Sequence, residues 1–205
     1  KKILFNSNEI LEDKFIREVA TKIREKEALA ATRYLGLSDK NVHFLRLPFY
    51  ETGKVIKNKP SVNDFDLMNQ IILKIKPHQI YAAGDLADPH GTHAVCINIL
   101  FRSLRKLKNQ KFMNNCWVWL YRGAWHEWEV NEIDMAVPMS PAQVLKKRKS
   151  IFFHQSQNNS VMFQGDDKRE FWERVEERNR DIAKQYRKLG MADYQAMETF
   201  KRYHF

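Results

Sequence analysis

His90 and His93 sit three residues apart in the segment Ile80-Tyr81-Ala82-Ala83-Gly84-Asp85-Leu86-Ala87-Asp88-Pro89-His90-Gly91-Thr92-His93, where an apolar run gives way to a polar turn. Imidazoles at this spacing can meet one metal ion or one substrate, or can cap and steady a helix start. A catalytic zinc site takes three protein donors and keeps one position for water, so the pair alone falls short of one. Asp88 has the same two readings, donor or helix cap. Arg24 and Glu27, also three apart, predict a local ion pair worth about 0.2–0.5 kcal/mol on a helix surface. Glu51, beside Tyr50, is a carboxylate able to accept a sugar hydroxyl or simply to stay solvated. His154-Gln155-Ser156-Gln157 follows a basic stretch and reads, by itself, as a helix terminus.

The elements that must position these groups alternate. A helix is predicted from Glu9 to about Leu35, where Ile16, Val19, Ile23, Ala30 and Tyr34 fall near helical spacing and Gly36 supplies a stop. Val42 to Leu47 reads as a strand emerging at Pro48. Ser61-Val62-Asn63-Asp64 opens a helix whose apolar face, Phe65, Met68, Ile71, Ile72 and Ile75, ends at Pro77. Gln79 to Ala83 is a strand apolar on both faces, as expected between helix layers. Gly91 to Lys108 is an amphipathic helix with basic residues at its end, and Cys116 to Tyr121 is a further strand. This alternation predicts a Rossmann-like α/β fold, a mostly parallel sheet flanked by helices. Ligands of such sheets bind outside the carboxyl ends of the strands, where the histidine turn lies. Pro141 to Phe153 and Asp166 to Leu189 read as helices, and the segment from about 141 to 203 is expected to pack as helices around the sheet.

With 205 residues, 43% of them hydrophobic and 12% aromatic, the chain is expected to form one domain with a good core. Cys96 and Cys116 lie in apolar runs and predict buried free thiols, which fits a cytoplasmic protein. No stretch approaches the ~20 apolar residues of a membrane span. The net charge of +10 is spread over segments that also carry acids, and no zinc-finger, RNA-recognition or P-loop signature accompanies it. Solvated helix faces are therefore expected, with neither nucleic acid nor membrane as partner.

Arg24-x-x-Glu27-Ala28, Phe44-Leu45-x-Leu47-Pro48, the Gly84 to His93 turn and Lys149-x-x-x-x-His154-x-Ser156-Gln157 together resemble the LmbE-like (PIG-L) zinc-dependent de-N-acetylases. The resemblance covers roughly residues 16 to 203. Leu47 to Gly53, Lys76 to Ile80, Trp119 to Trp128 and Met162 to Asp167 look like one bacterial branch. In that branch such a domain follows a glucosamine-6-phosphate deaminase-like domain in one polypeptide. The resemblance implies zinc as cofactor, His93 as a metal ligand and His90 as the group steadying the oxyanion of an amide hydrolysis. It also implies that Arg24 grips an amino-sugar substrate; Glu51, from its place in the loop, is the candidate second substrate contact.

The pattern departs from the family in respects that bear on chemistry. The family's early His-Pro-Asp-Asp motif, source of two zinc ligands and the general base, does not occur in the sequence, and Asp166-Asp167 lacks the preceding His-Pro. Thr92 stands where many relatives carry Asp, and Ala94 where Arg is expected in the nearer branch. The expected function is thus a partial LmbE-like domain acting on an N-acetylated amino sugar. The alternatives are deaminase or isomerase activity of a larger parent, and a sugar-binding module without catalysis.

Overall fold

A computed structural model describes residues 14–50, 57–84, 91–124, 126–158 and 169–205. The first helix, α1 (Lys14–Leu35), ends as its glycine predicts: Gly36 takes φ +100, the Leu37 N–H donates to Thr32 O, and the Gly36 N–H donates to Arg33 O. That pair of bonds is a Schellman closure, in which glycine relieves the steric cost of the left-handed turn. Helix α2 (Val62–Ile75) opens with a capping box, Ser61 and Asp64 each satisfying the other's backbone N–H. Strand β1 (Gln79–Ala83), helix α3 (Thr92–Leu107) and strand β2 (Trp117–Tyr121) follow. β1 and β2 pair in parallel, from Gln79 opposite Trp117 to Ala83 opposite Tyr121, which is the expected βαβ unit.

Strand β3 (Met135–Met139), helix α4 (Pro141–Ile151), the single turn α5 (Gln155–Asn158), helix α6 (Phe171–Lys188) and strand β4 (Ala196–Tyr203) complete the order. The sheet runs β1-β2-β4-β3, with β4 antiparallel to both neighbours. β1, β2 and β3 therefore point the same way, and their carboxyl ends share one edge. Tyr121 lies opposite Phe200, so Ala196 to Thr199 of β4 extend past the end of β2 along that edge. Pro138 lacks an N–H to give a ladder, and β3 tolerates it because the strand lies at the sheet margin.

One face of the sheet is packed. Val118 and Leu120 meet Ile72, Ile97, Leu100 and Leu104 from α2 and α3, and Ile182 and Ala183 of α6 cover Met197. Burial of each such aliphatic side chain contributes about 1.5–3 kcal/mol. Phe101 stacks on Tyr203 with ring centroids 3.7 Å apart. The opposite face presents Tyr81, Trp117 and Tyr121, exposed by 50%, 43% and 37%. There Trp117 stacks near Trp119, and the Arg202 guanidinium lies 3.5 Å from the Trp117 ring.

Three elements differ from the sequence expectation, which assigns no element to residues 135–139, where β3 forms. Residues 42–47 form no strand, because an extended run becomes a strand only with a partner ladder and Arg46 turns the backbone to φ +44. The carboxyl-terminal segment is not helical throughout: residues 196–203 form β4, placed between β2 and β3. Alternation of Met197, Thr199, Lys201 and Tyr203 against Glu198, Phe200 and Arg202 suits a strand with two different faces. Of the two cysteines, Cys116 is buried and Cys96 half-buried, and neither forms a disulfide. Among the described residues no helix is long and apolar enough to cross a membrane.

Candidate functional site

The two-histidine turn leaves the carboxyl end of β1. His90, Asp88 and Glu51 lie outside the described residues. Gly84 ends β1 with its N–H donating to Tyr121 O at 2.7 Å, and Gly91 precedes α3 at φ +67. His93 stands exposed on the first turn of α3. At Gly84 a Cβ would lie 2.8 Å from Leu120 Cβ and 3.1 Å from Trp128 Cζ2, so only glycine fits under the indole. Trp128 is buried, donates from Nε1 to Leu120 O at 3.2 Å, and has the Arg122 guanidinium 3.9 Å from its ring. The Trp119 to Trp128 motif thus closes over the strand ends from which the histidine turn departs.

A second group of motif residues meets at the junction of α1 with the α4–α5 corner. Glu27 does not make the intrahelical pair that its spacing from Arg24 predicts. Its carboxylate accepts the Ser156 N–H at 2.7 Å and the Ser156 hydroxyl at 2.6 Å. Those bonds, the hydroxyl first, hold the Glu27 carboxyl below the ordinary carboxylate range, with smaller electrostatic help from His154 and Arg24. Tyr34 and Phe153 rings pack 5.3 Å apart alongside, and Lys146 Nζ donates to Leu35 O. Two motifs distant in sequence are therefore one unit in space.

The loop that leads to Glu51 is fixed at two points. Arg46 donates to Glu25 of α1 through Nε at 2.7 Å and a terminal nitrogen at 2.8 Å, a bidentate pair. The Phe49 N–H donates to Asp64 Oδ1 at 2.9 Å, while the other Asp64 oxygen accepts the Ser61 N–H and hydroxyl. Burial would raise the Asp64 carboxyl, and these donors outweigh it and lower it. Phe49 is 1% exposed and anchors the loop, leaving Tyr50 exposed with Lys57 Nζ 4.3 Å from its ring.

A charged cluster fills the space beyond the end of β2. Lys147 donates to Asn179 Oδ1 at 2.8 Å and pairs with Glu198; Arg178 bridges Glu198 and Glu127 at 2.5 Å each. Burial pushes the Glu198 carboxyl up, but Arg178 and then Lys147 overcome it and hold it down. Burial lowers the Lys147 ammonium against the opposing pull of Glu198. Because Lys147 donates to two acceptors here, the pair is read as ionised. Glu127 and Arg178 also line an open polar cavity of about 370 Å³ with Arg169, Glu177 and Asp181. None of these residues was singled out by its type or spacing. Lys147 carried a signal all the same, since it shares the helical stripe of Val144 and Ile151, whereas Lys149 of the motif is exposed.

The donor set tests the metal that the resemblance implies. Among the described residues no three His, Cys, Asp or Glu side chains converge, so those residues do not by themselves make a zinc site. Arg24 lies on α1, which packs on α4 and α5, and His93 lies on α3, which packs on α2 and β1.

The fold is that of the LmbE-like deacetylases. A deacetylase from the teicoplanin biosynthesis pathway superposes with TM-score 0.55 at 15% identity, covering 90% of this chain and 74% of that one. N,N'-diacetylchitobiose deacetylase from Pyrococcus horikoshii gives 0.51 at 20% identity, covering 89% and 63%. A conserved protein of Thermus thermophilus gives 0.57 at 18%, covering 88% and 72%. In sequence, the chain is 51% identical over 183 residues to a glucosamine-6-phosphate deaminase-like protein of Bacteroides thetaiotaomicron. That match takes in 88% of the chain but 28% of the relative's length. No protein-family model matches the chain.

Proposed function

We propose that the chain serves zinc-dependent de-N-acetylation of an N-acetylated amino sugar, as part of a larger amino-sugar-metabolising protein. The observation that carries this reading is the deacetylase fold with a two-histidine turn at the carboxyl end of a sheet strand, where α/β sheets bind ligands. In this reading His93 is one metal donor, His90 steadies the oxyanion, Arg24 grips the sugar and Glu51 accepts one of its hydroxyls. The remaining metal donors come from outside the described residues. One feature supports a larger assembly: the relative is much longer than the matched segment.

The test is zinc content and deacetylation of N-acetylglucosamine and its 6-phosphate, measured on the chain alone and on a polypeptide that also supplies a His-Pro-Asp-Asp segment. Zinc uptake that drops in His93→Ala is expected in the second. Absence of zinc from that polypeptide sinks the metal assignment. Sugar binding that survives chelation, without turnover, favours the non-catalytic sugar-binding module, which Thr92 in place of a second carboxylate permits.

A further inference from the structure

Arg24 and Glu27 share one face of α1 at a spacing that ordinarily pairs them. The Glu27 carboxylate is instead directed to the α4–α5 corner, where both oxygens accept from Ser156. Arg24 is exposed and acts on Glu27 through its charge, while the Glu27 hydrogen bonds go to Ser156. From this geometry we infer that Ser156 is a positioning residue: by holding Glu27, it keeps the neighbouring carboxylate from closing a hydrogen-bonded pair with Arg24 and so leaves the guanidinium N–H donors available to an anionic or hydroxyl-rich ligand. The effect on binding rests on the assignment of Arg24 to substrate under the proposed function; the effect on the Arg24–Glu27 pair does not.

The physical reasoning is a competition between two partners for one carboxylate. An exposed helical ion pair is weak, and two hydrogen bonds from a fixed turn suffice to redirect the carboxylate. Removing the hydroxyl tips the balance, since Glu27 then keeps only the backbone N–H. Thr in place of Ser retains a hydroxyl at that position and should preserve the arrangement.

A double-mutant cycle read by carbon NMR tests the competition directly. The Glu27 carboxyl is titrated in the wild type, Arg24→Gln, Ser156→Ala and the double variant. Arg24→Gln is expected to shift the Glu27 titration clearly more in the Ser156→Ala background than in the wild type. Equal shifts in both backgrounds overturn the inference. Calorimetry with N-acetylglucosamine 6-phosphate gives the functional arm. Ser156→Ala should weaken binding about fivefold, the size of an exposed ion pair, with Glu27→Gln added to it restoring affinity and Ser156→Thr behaving as wild type. Weakening that Glu27→Gln does not rescue makes Ser156 merely structural and overturns the positioning role. If Arg24→Gln leaves sugar binding unchanged, the substrate assignment of Arg24 fails, while the NMR cycle still decides the competition.

Discussion

Lys147 on α4 and Glu198 on β4, 51 residues apart in sequence, form an ion pair in the space past the end of β2. Arg178 holds the other oxygen of Glu198 and passes the connection to Glu127 in the loop after β2. Three elements and a loop depend on this one cluster for their relative placement along the edge of the sheet that carries the histidine turn.

Removing one member leaves the others charged and poorly compensated. Glu198→Ala is expected to cost about 3 kcal/mol, since breaking a buried pair strands its partners. Urea unfolding checks this, and a loss below about 1 kcal/mol would show that solvent already screens the cluster.

Acid should destabilise the fold through the same carboxylates. Glu198 and Asp64 are lowered against their burial by neighbouring donors, and Glu176 by its bidentate bond to Arg148. The unfolded chain therefore binds these protons more tightly than the folded chain. Their stabilisation is complete above the unfolded carboxyl value of about 4 and is lost as pH falls through the lowered folded values. Urea midpoints collected from neutral pH downward should fall across that window, and Asp64→Asn should flatten the slope.

Asp64→Ala removes the acceptor for the Phe49 N–H and both Ser61 donors. A loss of about 2 kcal/mol is expected from the broken cap and the stranded buried N–H. Thermal unfolding gives the magnitude, and faster proteolysis near Phe49 would show that the loop leading to Glu51 has come loose.

Gly84→Ala drives a methyl group into Leu120 and the Trp128 ring. Overpacking of this kind costs about 1–3 kcal/mol. Trp128 fluorescence should shift along with stability; a neutral substitution would show that the strand end can move away.

How much of this was legible beforehand varies by element. β1, β2 and the helices from 62 and 141 follow from local signals: apolar runs, a capping residue and a terminal proline. The βαβ unit follows from their order. The strand expected at 42–47 fails because periodicity reports which side chains want burial, not whether a partner ladder exists. β4 was missed for the complementary reason: its place between β2 and β3 depends on pairing distant segments.

The candidate site divides the same way. The sequence alone determined which chemical groups are present: His90, His93, Arg24, Glu51, the polar corner around Ser156, and the lack of a His-Pro-Asp-Asp motif. Residue type and spacing fix chemistry and helical neighbours, because both are local properties of the chain. Only the tertiary structure decided that Glu27 turns to Ser156 rather than Arg24, that Lys147 rather than Lys149 points inward, and that Trp128 excludes a side chain at Gly84. Each of those outcomes is a competition between a sequence neighbour and a distant partner, and burial and hydrogen-bond geometry, which exist only in the folded chain, settle it.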